Sequence, residues 1–240
     1  MNSTQQLTAY IQQNVPCMFV KYGDGEFYAA LFHGGGNCDG TPYTHNLGHK
    51  VRESFVYNCQ QTNAMMGEWH VKENKVFWEN LSPLRAPVQW VDFHTVLIDE
   101  PSLQTPDKVN LYKAIKESSS KKIYIANHTM GRAKQLFNVQ SHVVIDPTNW
   151  FDTNFEGVFS EACSQVEDER NTMFLVSAGM GAKFLIGELH KKFPNATYVD
   201  VGSAFDMICG KRNSRAYNPA YEVLCEYLKP ILPEEWDDRL

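Results

Sequence analysis

The sequence predicts an α/β domain whose sheet is mostly parallel and is covered by helices on both faces. Short β-prone runs alternate along the chain with amphipathic helical stretches, which is the pattern typical of this architecture. The run from Met173 to Ser177 is almost wholly apolar, as expected for a strand that is buried on both faces. A chain of 240 residues can bury one large core, and no stretch reads as an interdomain linker. We therefore predict a single domain over residues 1–240.

The predicted strands are short apolar runs bounded by polar or small residues. Runs of this length suit strands better than helices, which need a longer periodic pattern. The predicted strands are Cys17–Tyr22, Ala64–Trp69, Val91–Ile98, Lys122–Ala126, His142–Ile145, Met173–Ser177 and Thr197–Val201.

The predicted helices begin at recognisable start signals. In Thr105–Asp107 an N-cap residue, a proline and an acid follow one another, which predicts a helix to about Ser118. Asn218 and Pro219 repeat this order ahead of a helix near the C-terminus. After Gly181, apolar residues recur at the spacing of one helix face, which therefore packs on the sheet. These residues are Ala182, Leu185, Ile186, Leu189 and Phe193.

Composition and charge exclude several classes of protein. The chain has 22 Lys and Arg against 28 Asp and Glu, and a net charge of −6 argues against a general nucleic-acid binder. No apolar run approaches the roughly 20 residues needed to cross a bilayer, and residues 1–13 lack the apolar core of a signal peptide. We expect a soluble, cytoplasmic protein. Its six cysteines lack the paired spacing of a structural zinc site and are expected to be buried free thiols.

The segment Lys21–Glu26 has the strongest chemical signal. It places two carboxylates, Asp24 and Glu26, on a glycine-flanked turn at the end of the first predicted strand. A bent backbone can aim both at one hard cation, whose remaining positions are then open to phosphate oxygens and water. Gly23 and Gly25 allow a ligand to approach the backbone closely. A polar turn with solvated carboxylates is the alternative.

A second turn, Ser177–Lys183, lies where ligands bind in open α/β sheets, beyond the carboxyl end of a strand and at the start of a helix. Small residues here let backbone N–H groups approach an anion, while the helix dipole and Lys183 favour negative charge. The spacing is not that of a P-loop, and Phe184 stands where the dinucleotide fingerprint has its third glycine. The alternative is a tight turn that requires small residues.

Three further segments lie at or near predicted strand ends, and two of them can contribute to an anion site. Asn127 and Arg132 follow a predicted strand and can face a nucleotide or its phosphates, although Arg132 can equally be a surface residue. Asp200–Asp206 again ends a strand with acids and small residues, and the basic loop Lys211–Tyr217, which includes Arg215, suits a diphosphate.

Two other motifs favour structural interpretations. His33–Gly36 imitates the oxyanion-hole stretch of some esterases, but the chain has no Gly-x-Ser-x-Gly elbow, so we interpret it as a flexible loop. His45 and His49 lie near Cys38 and Asp39, which makes a zinc site conceivable. A helix start with two surface histidines is the favoured interpretation, because no glutamate follows His45 as in a metalloprotease helix.

Taken in order, these motifs resemble the GT-D fold glycosyltransferase family (DUF1792-like). The similarity includes the Gly-Asp-Gly-Glu turn at Gly23–Glu26, the Ser-Ala-Gly-x-x-Ala-Lys pattern at Ser177–Lys183, the strand end Tyr198–Gly202 and the tail Arg215–Tyr217. It extends over most of residues 17–220.

The resemblance implies a Rossmann-like domain that binds a nucleoside-diphosphate sugar, with UDP as the expected nucleotide, through Mn²⁺ or Mg²⁺. Asp24 and Glu26 match the catalytic, metal-associated acids of the family. The segment Glu68–Pro101 departs most from the family pattern and is expected to contact the acceptor. Together with the turns above, the predicted donor-binding residues are Tyr22, Gly23, Gly25, Asn127, Arg132, Ser177, Ala178, Gly179, Gly181, Lys183 and Arg215.

The predicted activity is metal-dependent transfer of a hexosyl or pentosyl group to a hydroxyl of a glycan or other acceptor. Two alternatives use the same residues: a metal-dependent nucleotide or phosphate-ester hydrolase, and a non-catalytic module that binds nucleotide sugars. The transferred sugar, the stereochemical course and the oligomeric state stay open. So does the general base, for which His70, His94, Asp99, Asp146 and Asp206 are available.

Overall fold

The computed structural model describes residues 1–37, 40–68, 71–82, 88–92, 97, 105–127, 133–146, 148–206 and 226–231. Within these residues, seven strands form one sheet. They are β1 (Met18–Tyr22), β2 (Ala64–Glu68), β3 (Trp90–Asp92), β4 (Lys121–Ala126), β5 (Ser141–Val144), β6 (Thr172–Val176) and β7 (Thr197–Asp200).

The sheet has the order β3-β2-β1-β7-β6-β4-β5, and all of its neighbouring strands are parallel. This confirms the predicted parallel sheet. Each strand begins within one residue of its predicted start. The predicted third strand was longer than β3, which ends at Asp92; residues 93–96 and 98 lie outside the described part of the chain.

Helices cover both faces of the sheet, as predicted. Along β1, Phe19 packs into one core with Leu7 of the first helix, whereas Val20 packs into the other core with Phe55. This alternation follows from the two-residue repeat of a strand. The described helices are α1 (Ser3–Gln12), α2 (Asp24–Ala30), α3 (His45–Asn58), α4 (Lys72–Leu81), α5 (Thr105–Glu117), α6 (Ala133–Leu136), α7 (Trp150–Ser164) and α8 (Ala182–Lys192).

Local capping explains where several helices start. The Asn2 side chain accepts a hydrogen bond from the Gln5 N–H at 2.9 Å, and the Gln5 side chain accepts one from the Asn2 N–H. Helix α5 runs from Thr105 to Glu117, which confirms the helix predicted from its start signal. The helix predicted after Asn218 begins outside the described residues. In the described chain, no helix combines the length and apolar character needed to cross a membrane.

The cysteines that the structure describes are free thiols, as predicted. Cys17 and Cys59 are buried and Cys163 is half-buried, while the other three fall outside the described residues. Burial raises the pKa of Cys17 to about 12, so its thiol stays protonated at neutral pH.

Lys122 is a buried lysine near the amino end of β4. The predicted site lies at the opposite, carboxyl ends of the strands. Its ammonium group donates hydrogen bonds to the carbonyl groups of Ser118 at 2.8 Å and Lys116 at 3.3 Å. These carbonyls lie at the end of α5, where a cation is favoured. Burial nevertheless lowers the pKa of Lys122 to about 8.

The low pKa of Lys122 predicts a pH-dependent stability. Between about pH 8 and the ordinary lysine value of 10.5, the unfolded chain binds this proton and the folded chain does not. The contribution of Lys122 to the free energy of unfolding therefore rises with pH through this window and is smallest below pH 8.

Urea unfolding of wild type and Lys122→Met at pH 7.5 to 10 tests this, because the variant lacks the rise. Lys113→Met, at an exposed position on α5, should follow the wild type. A wild-type minus Lys122→Met difference that does not change with pH would contradict the assignment.

Candidate active site at the carboxyl edge of the sheet

The acidic turn, Gly23–Glu26, and the glycine turn, Ser177–Lys183, lie at the same edge of the sheet. Parallel strands end at one edge, and the order β1-β7-β6 places three of these strand ends side by side. Helix α2 begins at Asp24 directly after β1, and a 3₁₀ turn at Gly179–Gly181 follows β6 and leads into α8. Between them, β7 ends at Asp200.

Glu26, Lys183 and Asp200 form a buried ionic cluster that joins these three strand ends. The Lys183 ammonium lies 2.8 Å from Glu26 Oε1 and 3.0 Å from Asp200 Oδ2. It also donates a hydrogen bond to the Gly179 carbonyl at 3.3 Å. The exposed fractions of these three residues are 6% for Glu26, 4% for Lys183 and none for Asp200. Such a cluster is stable only because each charge has a close partner of opposite sign.

The charge of Lys183 is held by its two carboxylate partners. Burial alone would lower the pKa of its ammonium group, but the nearby charges of Asp200 and Glu26 outweigh burial, and the net effect is a raised pKa. Lys183 is therefore a permanent cation at any physiological pH.

Lys21 and Asp200 also belong to this region, although the sequence pattern gives Lys21 no role and marks Asp200 only as an acid at a strand end. The backbone N–H of Lys21 donates to Asp200 Oδ2 at 3.1 Å, and its ammonium group donates to the Val201 carbonyl at 3.3 Å. Asp200 Oδ1 is buried and has no hydrogen-bond partner in the described structure. The sequence contains a signal for both residues, because each is a charged residue at or near the end of an apolar strand. A charge buried at such a position needs a partner of opposite sign.

The two acids of the acidic turn have different surroundings. Asp24 is the first residue of α2, and its side chain is exposed. Its Oδ1 accepts a hydrogen bond from the Gly25 N–H at 2.9 Å. Glu26 is buried, and its Oε2 accepts a hydrogen bond from the Gly23 N–H at 2.8 Å, which caps α2.

Asp24 fits the chemistry of a nucleotide-bound Mg²⁺ or Mn²⁺ better than Glu26 does. Mg²⁺ is commonly bound by one or two carboxylates together with substrate phosphates and water. Asp24 can supply one such oxygen from an exposed position, whereas both oxygens of Glu26 already contact Lys183 and Gly23. Across the described ranges, no three His, Cys, Asp or Glu side chains are grouped to hold a metal ion. A cation here would therefore take most of its ligands from the substrate and water.

The glycine turn requires its small residues for two different reasons. Gly179 has φ +58°, a left-handed backbone conformation that residues other than glycine rarely adopt. Gly181 lies against aromatic rings, and a Cβ there would be 2.6 Å from Phe151 Cδ2 and 2.7 Å from Trp150 Cζ2. The Ser177 hydroxyl donates to the Gly202 carbonyl, which ties this turn to the end of β7.

Comparisons with known proteins give solved structures of similar fold. No protein-family model matches the chain, and no curated protein matches it in sequence. A structure described as a new glycosyltransferase (DUF1792) from Streptococcus sanguinis has a TM-score of 0.62 and 16% identity, over 89% of this chain and 86% of that one. Another, described as the highly conserved domain of unknown function 1792 with a distinct glycosyltransferase fold, has a TM-score of 0.59 and 18% identity. It covers 87% of this chain and 85% of its own.

This chain has a glycosyltransferase fold. A third structure, a selenomethionine form of domain of unknown function 1792, agrees, with a TM-score of 0.57 and 19% identity over 85% of this chain and 80% of that one. The predicted Rossmann-like architecture and the GT-D resemblance are thus confirmed at the level of the fold.

Within this glycosyltransferase fold, Tyr22 lies in the core. Its side chain is fully buried, and its ring centroid is 5.1 Å from that of Phe55 and 5.0 Å from that of Trp78. Its hydroxyl lies 3.0 Å from the Ser54 hydroxyl and accepts a hydrogen bond from the Asn58 side chain at 3.0 Å. Any contribution of Tyr22 to donor binding is therefore through the packing that supports the acidic turn.

The other predicted site residues differ in how far they are buried, and some lie outside the described part of the chain. Asn127 directly follows β4 at the carboxyl edge and is half-buried. Asp146 is exposed and accepts hydrogen bonds from Thr148, while Asp206 is buried. The predicted residues that lie outside the described part of the chain are Arg132 and Arg215, together with the possible bases His70, His94 and Asp99.

The histidine pair begins a helix, as the favoured interpretation predicted. Helix α3 starts at His45, and the Thr44 hydroxyl accepts a hydrogen bond from the Leu47 N–H at 3.1 Å. His45 and His49 are both exposed and contact the Phe32 ring. The alternative partners Cys38 and Asp39 fall in a gap of the described residues.

Gly202, at the end of β7, is expected to be sensitive to substitution. It has φ +52°, and a Cβ there would lie 2.4 Å from the Lys21 ammonium nitrogen. Gly202→Ala should lower the free energy of unfolding by about 1–2 kcal/mol, because alanine is strained in this conformation and displaces Lys21. Urea denaturation measures the change. Gly34→Ala is the matched control, since a methyl group at Gly34 would meet no described neighbour within 4 Å and this glycine has no positive φ. Equal stabilities of the two variants would contradict the prediction.

Proposed function

We propose that this protein transfers a sugar from a nucleoside-diphosphate sugar, with uridine as the expected base, to a hydroxyl of a glycan or other acceptor. The observation that carries the proposal is the direct contact between the acidic turn and the glycine turn, through Glu26 and Lys183, in a chain with a glycosyltransferase fold. This contact leaves the exposed carboxylate of Asp24 at the edge where open α/β sheets bind ligands.

In this reaction the bond between the sugar C1 and the diphosphate oxygen breaks, and a bond forms between C1 and the acceptor oxygen, whose proton leaves to a base. The departing diphosphate gains negative charge. We propose that this charge lies at the start of α8, after the glycine turn, where the positive helix end would stabilise it. Mn²⁺ or Mg²⁺ at Asp24, when bound, supplies Lewis-acid stabilisation of the same charge. Asp24 positions that cation and the donor, and the buried cluster keeps α2 in place.

The acceptor is proposed to contact the segment Glu68–Pro101. Its first residue lies at the carboxyl end of β2, opposite Tyr22 of β1 in the sheet register. Glu68 is therefore close to the acidic turn that follows Tyr22. Its Oε1 pairs with Lys75 at 3.1 Å, and its buried Oε2 has no hydrogen-bond partner among the described residues. A hydroxyl-rich acceptor can supply the missing donor.

Thermal shift with UDP and UDP-sugars, each with Mn²⁺, Mg²⁺ or chelator, tests donor binding. A ligand that binds the folded state raises Tm by mass action, by an amount that grows with its concentration. We expect a rise with UDP that chelator removes. If no nucleotide or nucleotide sugar changes Tm, the proposed donor class is wrong.

Donor consumption with and without glycan acceptors then tests the reaction. Transfer requires an acceptor, so we expect a glycosylated product and slow release of free sugar in its absence. Rapid release of sugar or phosphate without any acceptor would instead show the hydrolase. Tight UDP binding with no turnover for any acceptor would show the non-catalytic module.

A further inference from the structure

We propose that Lys183 is a positioning residue, which locks the start of α2 to the glycine turn and thereby holds Asp24 in place, and that it does not bind the donor phosphates. This inference rests on the proposed function, because it assigns a role within the same site. The sequence suggests that Lys183, which lies beside a turn suited to anions, contacts the donor phosphates. The proposal replaces that role with a structural one.

The first argument is the surroundings of the Lys183 ammonium group. A lysine ammonium has three donor hydrogens. Glu26, Asp200 and the Gly179 carbonyl provide three acceptors, at 2.8, 3.0 and 3.3 Å. A phosphate would have to displace one of them. Because the side chain is almost wholly buried, such a displacement would leave a buried carboxylate or carbonyl without its partner.

The second argument is what these three acceptors connect. Glu26 belongs to the first turn of α2, Asp200 ends β7, and Gly179 belongs to the glycine turn after β6. A single cation thus links three strand ends that lie far apart in the sequence. Glu26 is two residues from Asp24 on the same short helix, so a shift of Glu26 moves Asp24 with it.

The third argument is the charge of the cluster. Two carboxylates, Glu26 and Asp200, face one ammonium group at close range, and Lys21 reaches Asp200 through its backbone N–H. Two carboxylates around one ammonium group leave a net negative charge, so this cluster has no positive potential to offer a diphosphate. Its effect on the reaction is through geometry, which is decisive because a misplacement of about 1 Å can reduce turnover by about 100-fold.

The test compares Lys183→Met with a neutral triple variant, Glu26→Gln with Lys183→Met and Asp200→Asn. The single variant leaves two buried carboxylates without a cation and is expected to fold poorly. The triple variant has no uncompensated charge at these positions, and glutamine at position 26 can still cap the Gly23 N–H. Lys191→Met is the matched control, because Lys191 is an exposed lysine on the same helix, α8.

The deciding measurement is hydrogen exchange of the α2 amides, Asp24–Ala30, in the ligand-free protein. Contact with a phosphate cannot affect this state, whereas loss of the link should. We expect exchange in the folded triple variant to be at least about 10-fold faster than in wild type, and unchanged in Lys191→Met. Unchanged α2 exchange in the triple variant would overturn the proposal.

Kinetics and binding give the second readout. We expect kcat of the triple variant to fall by about 10- to 100-fold, with a smaller change in UDP affinity measured by calorimetry. A large loss of UDP affinity with unchanged exchange would show that the cluster contacts the donor and does not hold α2, and the proposal would be wrong. If wild type itself neither binds UDP nor transfers sugar, the proposed function fails, and the exchange experiment still decides whether Lys183 holds α2.

Discussion

Asp24→Asn is expected to reduce sugar transfer by at least about 100-fold at saturating donor and acceptor, while the protein stays folded. Asp24 is exposed, and its described contact is with the Gly25 N–H through Oδ1, which an asparagine oxygen can reproduce. The substitution therefore removes the negative charge that would hold a cation and retains the local turn. Its cost in unfolding free energy should be about 1 kcal/mol or less, from the lost interaction with the helix dipole. The measurements are kcat and urea denaturation.

Glu117→Gln is the control for Asp24→Asn. Glu117 is likewise an exposed acid, but it is the last residue of α5, ahead of the amino end of β4, and its ion pair with Lys113 is 3.8 Å long. It should retain wild-type transfer and change stability by about 0.5 kcal/mol or less. Folded Asp24→Asn protein with wild-type turnover would remove Asp24 from the catalytic site. Equal losses of activity in both variants would point to a general effect of charge.

Trp78→Ala is expected to lower the free energy of unfolding by about 3–5 kcal/mol. Trp78 is fully buried, and its ring lies 5.0 Å from Tyr22, 4.9 Å from Phe55 and 4.9 Å from Phe77, measured between centroids. Truncation leaves a large cavity beside the end of β1, so the loss combines burial with packing. Urea denaturation gives the value directly.

Two further variants separate packing from polar effects at position 78. The Trp78 Nε1 group is buried and has no hydrogen-bond partner in the described chain, so Trp78→Phe loses no hydrogen bond and should cost much less than alanine. Val76→Ala, on the same helix and 46% exposed, should change stability by about 0.5 kcal/mol or less. A Trp78→Ala cost no larger than that of Val76→Ala would contradict the role of this aromatic cluster.

Local sequence patterns predicted the elements of this fold well. Strands such as β6 are continuous apolar runs, and the apolar spacing after Gly181 predicted a helix that the structure has at Ala182–Lys192. These patterns are reliable because burial on a strand or helix face requires apolar residues at fixed intervals. The sequence pattern also placed the acidic turn and the glycine turn after strands, which in a parallel sheet brings them to one edge.

Only the tertiary structure shows which residues of the site are exposed and which are buried. Asp24 and Glu26 look equivalent in sequence, yet Asp24 is exposed and Glu26 is buried against Lys183. Tyr22, although it adjoins the acidic turn, points into the core.

By itself, the sequence determined the order and type of the elements and the position of the two turns at strand ends, because these depend on residues close together in the chain. Only the tertiary structure decided that β7 lies between β1 and β6, with Asp200 opposite Lys183. The physical reason is that strand order, and hence the pairing of buried charges, depends on contacts between distant segments. The buried Lys183 ammonium group is stable because folding brings two carboxylates to it, and the spacing of residues along the chain does not predict that contact.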